Sequence, residues 1–169
     1  MNMPGATAFV ALGANLDDPT AQVTAAFGEL AALPQTRLIK RSSLYRSAPV
    51  GYREQPDFIN AVAQIETALA PRALLAALLA IEHSHGRVRE FRNAPRTLDL
   101  DLLLYGGLQY HESGLTLPHP RLHERAFVLV PLAEIAPAVR IPGHGTAADL
   151  LRTVDTGGVE KLDAATISP

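Results

Sequence analysis

Three observations in this 169-residue chain predict an α+β fold, a ferredoxin-like split βαβ sandwich with additional C-terminal helices. The periodic segments run strand, helix, strand, strand, helix, strand, which is the split βαβ order. Each of the two helical stretches starts on a proline suited to a first turn, Pro19 and Pro71. The composition, 47% apolar and 19% charged, fits a folded core and argues against disorder.

Thr7 to Leu12 reads as the first strand, ended by the turn signal Gly13-Ala14-Asn15. Ala21 to Leu33 has helical apolar spacing and stops at Pro34. Arg37 to Arg46 is predicted as a second strand, followed by a loop punctuated by Pro49, Gly51 and Pro56. Asp57 to Glu66 is the third strand, with Phe58, Asn60 and Val62 on one face and Ile59, Ala61 and Ala63 on the other. The second helix runs from Pro71 to a stop at Gly86. Arg87 to Arg96 has no period and reads as a loop. Thr97 to Tyr105 is the fourth strand, closed by Gly106-Gly107. Beyond it, Leu115 to Leu117 reads as a short strand and Glu124 to Ile135 as a helix kinked at Pro131. Thr146 and Asp149 form a capping-box pattern for a last helix reaching about Val154. No linker or repeat divides the chain, so residues 1–169 are expected to form one domain, with a frayed tail from 157 to 169.

Bulk properties narrow the function. The net charge of −2 gives no basic field for nucleic acid. The chain has no cysteine, which removes disulfides, thiolate metal sites and a Cys nucleophile. No apolar run approaches a membrane span, and the N-terminal stretch does not read as a signal peptide, so a cytoplasmic protein is expected. The chain holds no P-loop, dinucleotide fingerprint or G-x-S-x-G elbow.

The chemistry concentrates at Arg96-Thr97-Leu98-Asp99-Leu100-Asp101. Side chains at i and i+2 of a strand share a face about 6.5–7 Å apart, so Asp99 and Asp101 look into one space and Leu98, Leu100 and Leu102 into the other. Two adjacent carboxylates are unfavourable without a cation or donors between them. A bare D-x-D can simply be a wetted strand face. The arginines Arg87, Arg89, Arg92 and Arg96 just upstream shift the weight toward a divalent cation holding a phosphate chain. The arginine run itself reads either as a solvated loop or as a lid over polyphosphate. His119, Arg121, His123 and Arg125 form a second basic group, without the third ligand that catalytic zinc needs. Asn60 fits either a satisfied buried amide or a carboxamide reading the edge of a flat heterocycle, with Phe58 and Phe127 as candidate stacking rings.

These residues resemble a family. Ala94-Pro95-Arg96-Thr97-Leu98-Asp99-Leu100-Asp101 and the following Leu102-Leu103-Leu104-Tyr105-Gly106 are similar to the signature of 6-hydroxymethyl-7,8-dihydropterin pyrophosphokinases. So are Ala11-Leu12-Gly13-Ala14-Asn15-Leu16, Gln55-Pro56-Asp57-Phe58-Ile59-Asn60-Ala61, Leu117-Pro118-His119-Pro120 and Arg125-Ala126-Phe127-Val128-Leu129. The resemblance implies a single pyrophosphokinase domain that moves the pyrophosphoryl group of ATP onto the pterin hydroxymethyl oxygen, in folate biosynthesis. It implies that Asp99 and Asp101 bind two magnesium ions and that Arg87 and Arg96 act on the phosphates. It places Glu82, Arg87, Arg89, Arg96, Leu102, Thr116, His119 and Arg125 at ATP. It places Ser47, Ala48, Val50, Phe58, Asn60 and Phe127 at the pterin. A monomer free of nucleic acid and membrane is expected. Asn93 stands where many members carry Trp-Gly before the proline, and Leu79 where a glutamine often meets adenine. The rival from another class is a non-catalytic nucleotide sensor with one structural cation; a metal nuclease lacks its basic face.

Overall fold

The computed structural model describes residues 5–49, 54–86 and 97–162. Its elements are β1 (Ala6–Ala14), α1 (Pro19–Ala31), β2 (Thr36–Arg41), β3 (Tyr45–Ser47), β4 (Phe58–Thr67) and α2 (Pro71–Ser84). There follow β5 (Asp99–Tyr105), β6 (Tyr110–Glu112), β7 (Leu115–Leu117), a 3-10 turn (Leu122–Glu124) and α3 (Ala126–Ile135). The chain then forms β8 (Arg140–Ile141), β9 (Gly145–Thr146), α4 (Ala147–Leu151) and β10 (Val159–Lys161). The main sheet has the order β10-β3-β4-β1-β5, with β2 also on β4, and every pairing is antiparallel. With β2 and β3 taken as halves of one bent strand, this is the predicted split βαβ sheet.

Alternation along the strands builds two cores. Ala8, Val10, Leu12, Ile59, Ala61, Ala63, Leu98, Leu100 and Leu102 face α1 and α2, which return Val23, Phe27, Leu30, Leu74, Leu78 and Ile81. On the opposite face Phe9, Val62, Leu103 and Leu104 meet Val128, Leu129 and Leu132 of α3 and Leu150 of α4. Both sides of the sheet are therefore covered. The pairing register shifts between Phe9 and Val10, which is why neighbours Leu103 and Leu104 both join the second core.

The helix signals hold at their starts. Pro19 and Pro71 occupy the first turns of α1 and α2, and Asp18 caps α1 by accepting the Ala21 N–H at 3.3 Å. The capping box at α4 forms as expected, with Thr146 Oγ1 accepting the Asp149 N–H at 3.1 Å.

Several boundaries differ from expectation. The second strand divides because Ser42 puts its hydroxyl into the ladder, accepting the Val62 N–H at 2.8 Å, while its own N–H donates to the Val62 carbonyl at 2.9 Å. Gly13 and Ala14 continue β1 rather than turning, since both pair with β4 and Gly13 also pairs with β5. The stretch expected to be helical from Glu124 splits into the 3-10 turn and α3, and Pro131 lies inside α3 without ending it. The last helix ends at Leu151, short of Val154. Of the tail expected to fray from 157 to 169, Val159–Lys161 forms β10 on β3 and the buried Leu162 N–H donates to the Leu44 carbonyl at 2.9 Å, while residues 163–169 lie outside the described residues. Among the described residues, no helix is long and apolar enough to cross a membrane.

Candidate active site

The register lines up one transverse row on the α3 side of the sheet. Gly13 pairs with Asp99 on one side and Asn60 on the other, Asn60 pairs with Tyr45, and Tyr45 with Lys161. Asp99 and Asn60 sit two strands apart, about 10 Å at the usual strand spacing. Between them Gly13 contributes no side chain, and a Cβ there would lie 3.4 Å from Asn60 Oδ1. The glycine keeps the floor between carboxylate and carboxamide low. The neighbouring row repeats the pattern, with Ala11 between Asp101 and Val62.

Over these rows opens a cavity of about 920 Å³. Asp99 and Asp101 line one end; Ser47, Ala48, Phe58 and Asn60 line the other, with Phe127 of α3 alongside. Both aspartates are half-buried, while Leu98, Leu100 and Leu102 are buried on the opposite face, as the alternation predicts. Asn60 is buried and donates through Nδ2 to Ser47 Oγ at 2.6 Å. That bond orients the carboxamide and couples β3 to β4.

The basic segment after β7 covers the acidic end. Arg125, at the start of α3, puts Nη1 3.9 Å from Asp101 Oδ2, and its guanidinium carbon lies 5.6 Å from the Phe127 ring centre. His119 is held by its own N–H donating to the Leu103 carbonyl at 2.9 Å. Its Nδ1 accepts the Arg121 N–H at 3.2 Å, so the ring's proton resides on Nε2. Burial, then the Arg125 charge, lowers the His119 pKa to about 4 against an opposing pull from Asp99, with Arg121 lowering it further. His119 is thus a neutral hydrogen-bond donor at physiological pH. Among the described residues no group of three His, Asp or Glu side chains forms a metal cage.

Other expected contacts lie elsewhere. Glu82 is buried at the end of α2, where its Oε2 accepts the Leu100 N–H at 2.7 Å across the outer edge of β5. Leu102 is buried in the core under α2, and Thr116 bonds His111 through Oγ1 and Nδ1 at 3.0 Å. None of these three lines the cavity. Leu79 is 44% exposed on α2. Val50, Arg87, Arg89, Arg92, Asn93 and Arg96 lie outside the described residues.

The cavity also has lining residues that sequence reasoning did not single out for the site: Gly13, Glu124, Asp155, Gly158 and Val159. Gly13 reads as a turn in the sequence, and its place between two functional strands emerges only from the pairing. Asp155, Gly158 and Val159 arrive with β10, which no periodicity announces.

Comparison with known proteins identifies the family. The profile of the family described as 7,8-dihydro-6-hydroxymethylpterin-pyrophosphokinase matches residues 9–137. A 2-amino-4-hydroxy-6-hydroxymethyldihydropteridine pyrophosphokinase of Pseudomonas aeruginosa is 47% identical over 157 residues, covering 93% of this chain and 97% of the relative. One of the same name from Haemophilus influenzae is 47% identical, covering 86% of this chain and 91% of the relative. A Bacillus subtilis protein, also of that name, is 42% identical over 78% of this chain and 79% of its own. In fold, the chain is similar to a crystal structure of an HPPK-DHPS protein in complex with substrates, with a TM-score of 0.70 at 13% identity. That match covers 89% of this chain, which spans 43% of the length of that protein. On the profile match and these relatives, this chain belongs to the 7,8-dihydro-6-hydroxymethylpterin-pyrophosphokinase family.

Proposed function

We propose that the chain transfers the pyrophosphoryl group of ATP to the hydroxymethyl oxygen of 6-hydroxymethyl-7,8-dihydropterin, giving AMP and the pterin diphosphate in folate biosynthesis. The observation that carries this reading is the row Asp99–Gly13–Asn60, which sets a carboxylate and an oriented carboxamide two strands apart on one cavity floor. A pterin is flat, with donors and acceptors along its edge. Asn60 reads that edge, Phe58 and Phe127 offer rings, and Ser47, Ala48 and Val50 complete the pocket.

The phosphate chain lies toward Asp99 and Asp101. Arg125 and neutral His119 donate to it, joined by Arg87, Arg89 and Arg96 of the preceding segment. Arg87 and Arg96 take the transition-state charge. Glu82, Leu102 and Thr116 complete the nucleotide side, Glu82 through the β5 backbone it holds. The transfer itself forms a bond from the pterin oxygen to the β-phosphorus and breaks the Pα–O–Pβ bridge. Such a step asks mainly for positioning and charge neutralisation, and this cavity offers both.

The acidic end fits magnesium. Asp99 and Asp101 are hard oxygen donors, and a site with two protein carboxylates leaves the remaining positions to phosphate and water, as this ion prefers. Two magnesium ions held there would neutralise the triphosphate and acidify the hydroxymethyl group. A cytoplasmic monomer acting on small soluble substrates fits the same reading.

The test is an incubation with ATP, magnesium and the hydroxymethyl dihydropterin. AMP and pterin diphosphate are expected in equal amounts. Tight ATP binding without turnover would replace this reading with the nucleotide sensor.

A further inference from the structure

One carboxylate outside the cavity gathers three hydrogen-bond donors and a lysine. Glu134, in the last turn of α3, accepts the Ser43 N–H at 2.9 Å and the Tyr45 hydroxyl at 2.8 Å through Oε1. Its Oε2 accepts the Ser43 hydroxyl at 2.7 Å and lies 3.9 Å from Lys161 Nζ. These partners come from the β2–β3 corner, from β3 and from β10, three segments 27 to 91 residues away in sequence. Burial alone would push the Glu134 carboxyl up, but the Ser43 and Tyr45 bonds outweigh it and hold it below the usual carboxylate range. Burial and the Glu134 carboxylate push the Tyr45 phenol the other way, so the pair stays an ionised acceptor and a neutral donor.

Two of these segments, β3 and β10, also build the pterin end of the cavity. Tyr45 pairs with Asn60, Ser47 on the same short strand accepts from Asn60, and Val159 of β10 pairs with Ser47 and lines the cavity. On α3, Phe127 and Glu134 are seven residues apart, two turns along one stripe and about 10 Å in rise. One end of α3 therefore presents a cavity ring while the other is bonded to the strand carrying the opposite wall.

We propose that Glu134 is a positioning residue that sets the gap between Phe127 and the Ser47–Asn60 wall, and so governs pterin affinity far more than nucleotide affinity. The nucleotide end responds less because Asp99 and Asp101 ride on β5, at the far edge of the sheet from β3 and β10, so that of the residues facing the phosphates only Arg125 shares α3 with Phe127. This rests on the pyrophosphokinase reading above.

The experiment measures Kd by calorimetry for a non-hydrolysable ATP analogue with magnesium, and for the hydroxymethyl dihydropterin in the presence of both. Wild type is compared with Glu134→Gln and with Tyr45→Phe, which keeps the ring and removes only the bond to Glu134. Both variants are expected to weaken pterin binding about fivefold or more, with nucleotide Kd changed less than about twofold. Their combination is expected to cost less than the product of the single effects. Unchanged pterin Kd in Tyr45→Phe and Glu134→Gln, or equal losses for both ligands, would overturn the proposal and leave Glu134 a structural tie. A wild-type protein that binds no pterin would instead overturn the function reading beneath it.

Discussion

At the scale of single residues, what separates a site from a decorated strand is how each polar group is held. Asn60 is buried, yet its amide has a short bond to Ser47, so the satisfied-amide and ligand-reading interpretations are compatible. The Ser47 bond fixes which way the amide points. Asn60→Ala is expected to weaken pterin binding by about 1–3 kcal/mol while sparing the ATP analogue, as calorimetry on both ligands would show. His119 carries a different prediction. Its folded-state pKa, lowered to about 4, lies below the ordinary value of 6.5, so the unfolded chain binds the proton more readily. The neutral ring's contribution is complete above pH 6.5 and declines as pH falls toward 4. NMR of the metal-free protein should find the His119 ring neutral at pH 6, with Nε2 protonated. A doubly protonated ring at that pH would refute the assignment.

Between elements, the site depends on ties that cross the sheet's edges and layers. β5 is an edge strand carrying both aspartates, and its outer N–H at Leu100 is covered by the Glu82 carboxylate from α2. The nearby Leu103 carbonyl receives the His119 N–H. An edge secured in this way is held against fraying, and it keeps the carboxylate pair at a fixed height over the cavity. Glu82→Ala leaves the Leu100 N–H without that acceptor and is expected to cost about 1–3 kcal/mol in a urea titration. Glu82→Gln retains a carbonyl oxygen and should cost less. Equal stability of Glu82→Ala and wild type would show the tie to be dispensable.

For the whole molecule, the alternation of Leu98 to Leu102 and of Phe58 to Ala63 was readable because strand periodicity reports burial on two faces. The structure returns both assignments. The helix starts were readable from proline and capping chemistry. Gly13, Asp155 and Val159 were not, because their roles depend on which strands become neighbours, and pairing is a long-range property. Ser42, which breaks the second strand, was hidden for the same reason, since its hydroxyl acts only against Val62 of a distant strand. The Glu134 tie, too, joins residues about ninety positions apart and leaves no local signature. The fold thus follows from local pattern, and the finer anatomy of the site follows from register.

The central claim is that Asp99 and Asp101, set opposite Asn60 across Gly13, make this cavity a pyrophosphokinase site. The most direct measurement is AMP release coupled to pterin diphosphate formation in wild type, Asp99→Ala and Asp101→Ala, with circular dichroism confirming that each variant folds. The account predicts equimolar products from wild type and a loss of about a hundredfold or more in kcat for each folded variant. Near wild-type turnover in both variants would contradict it.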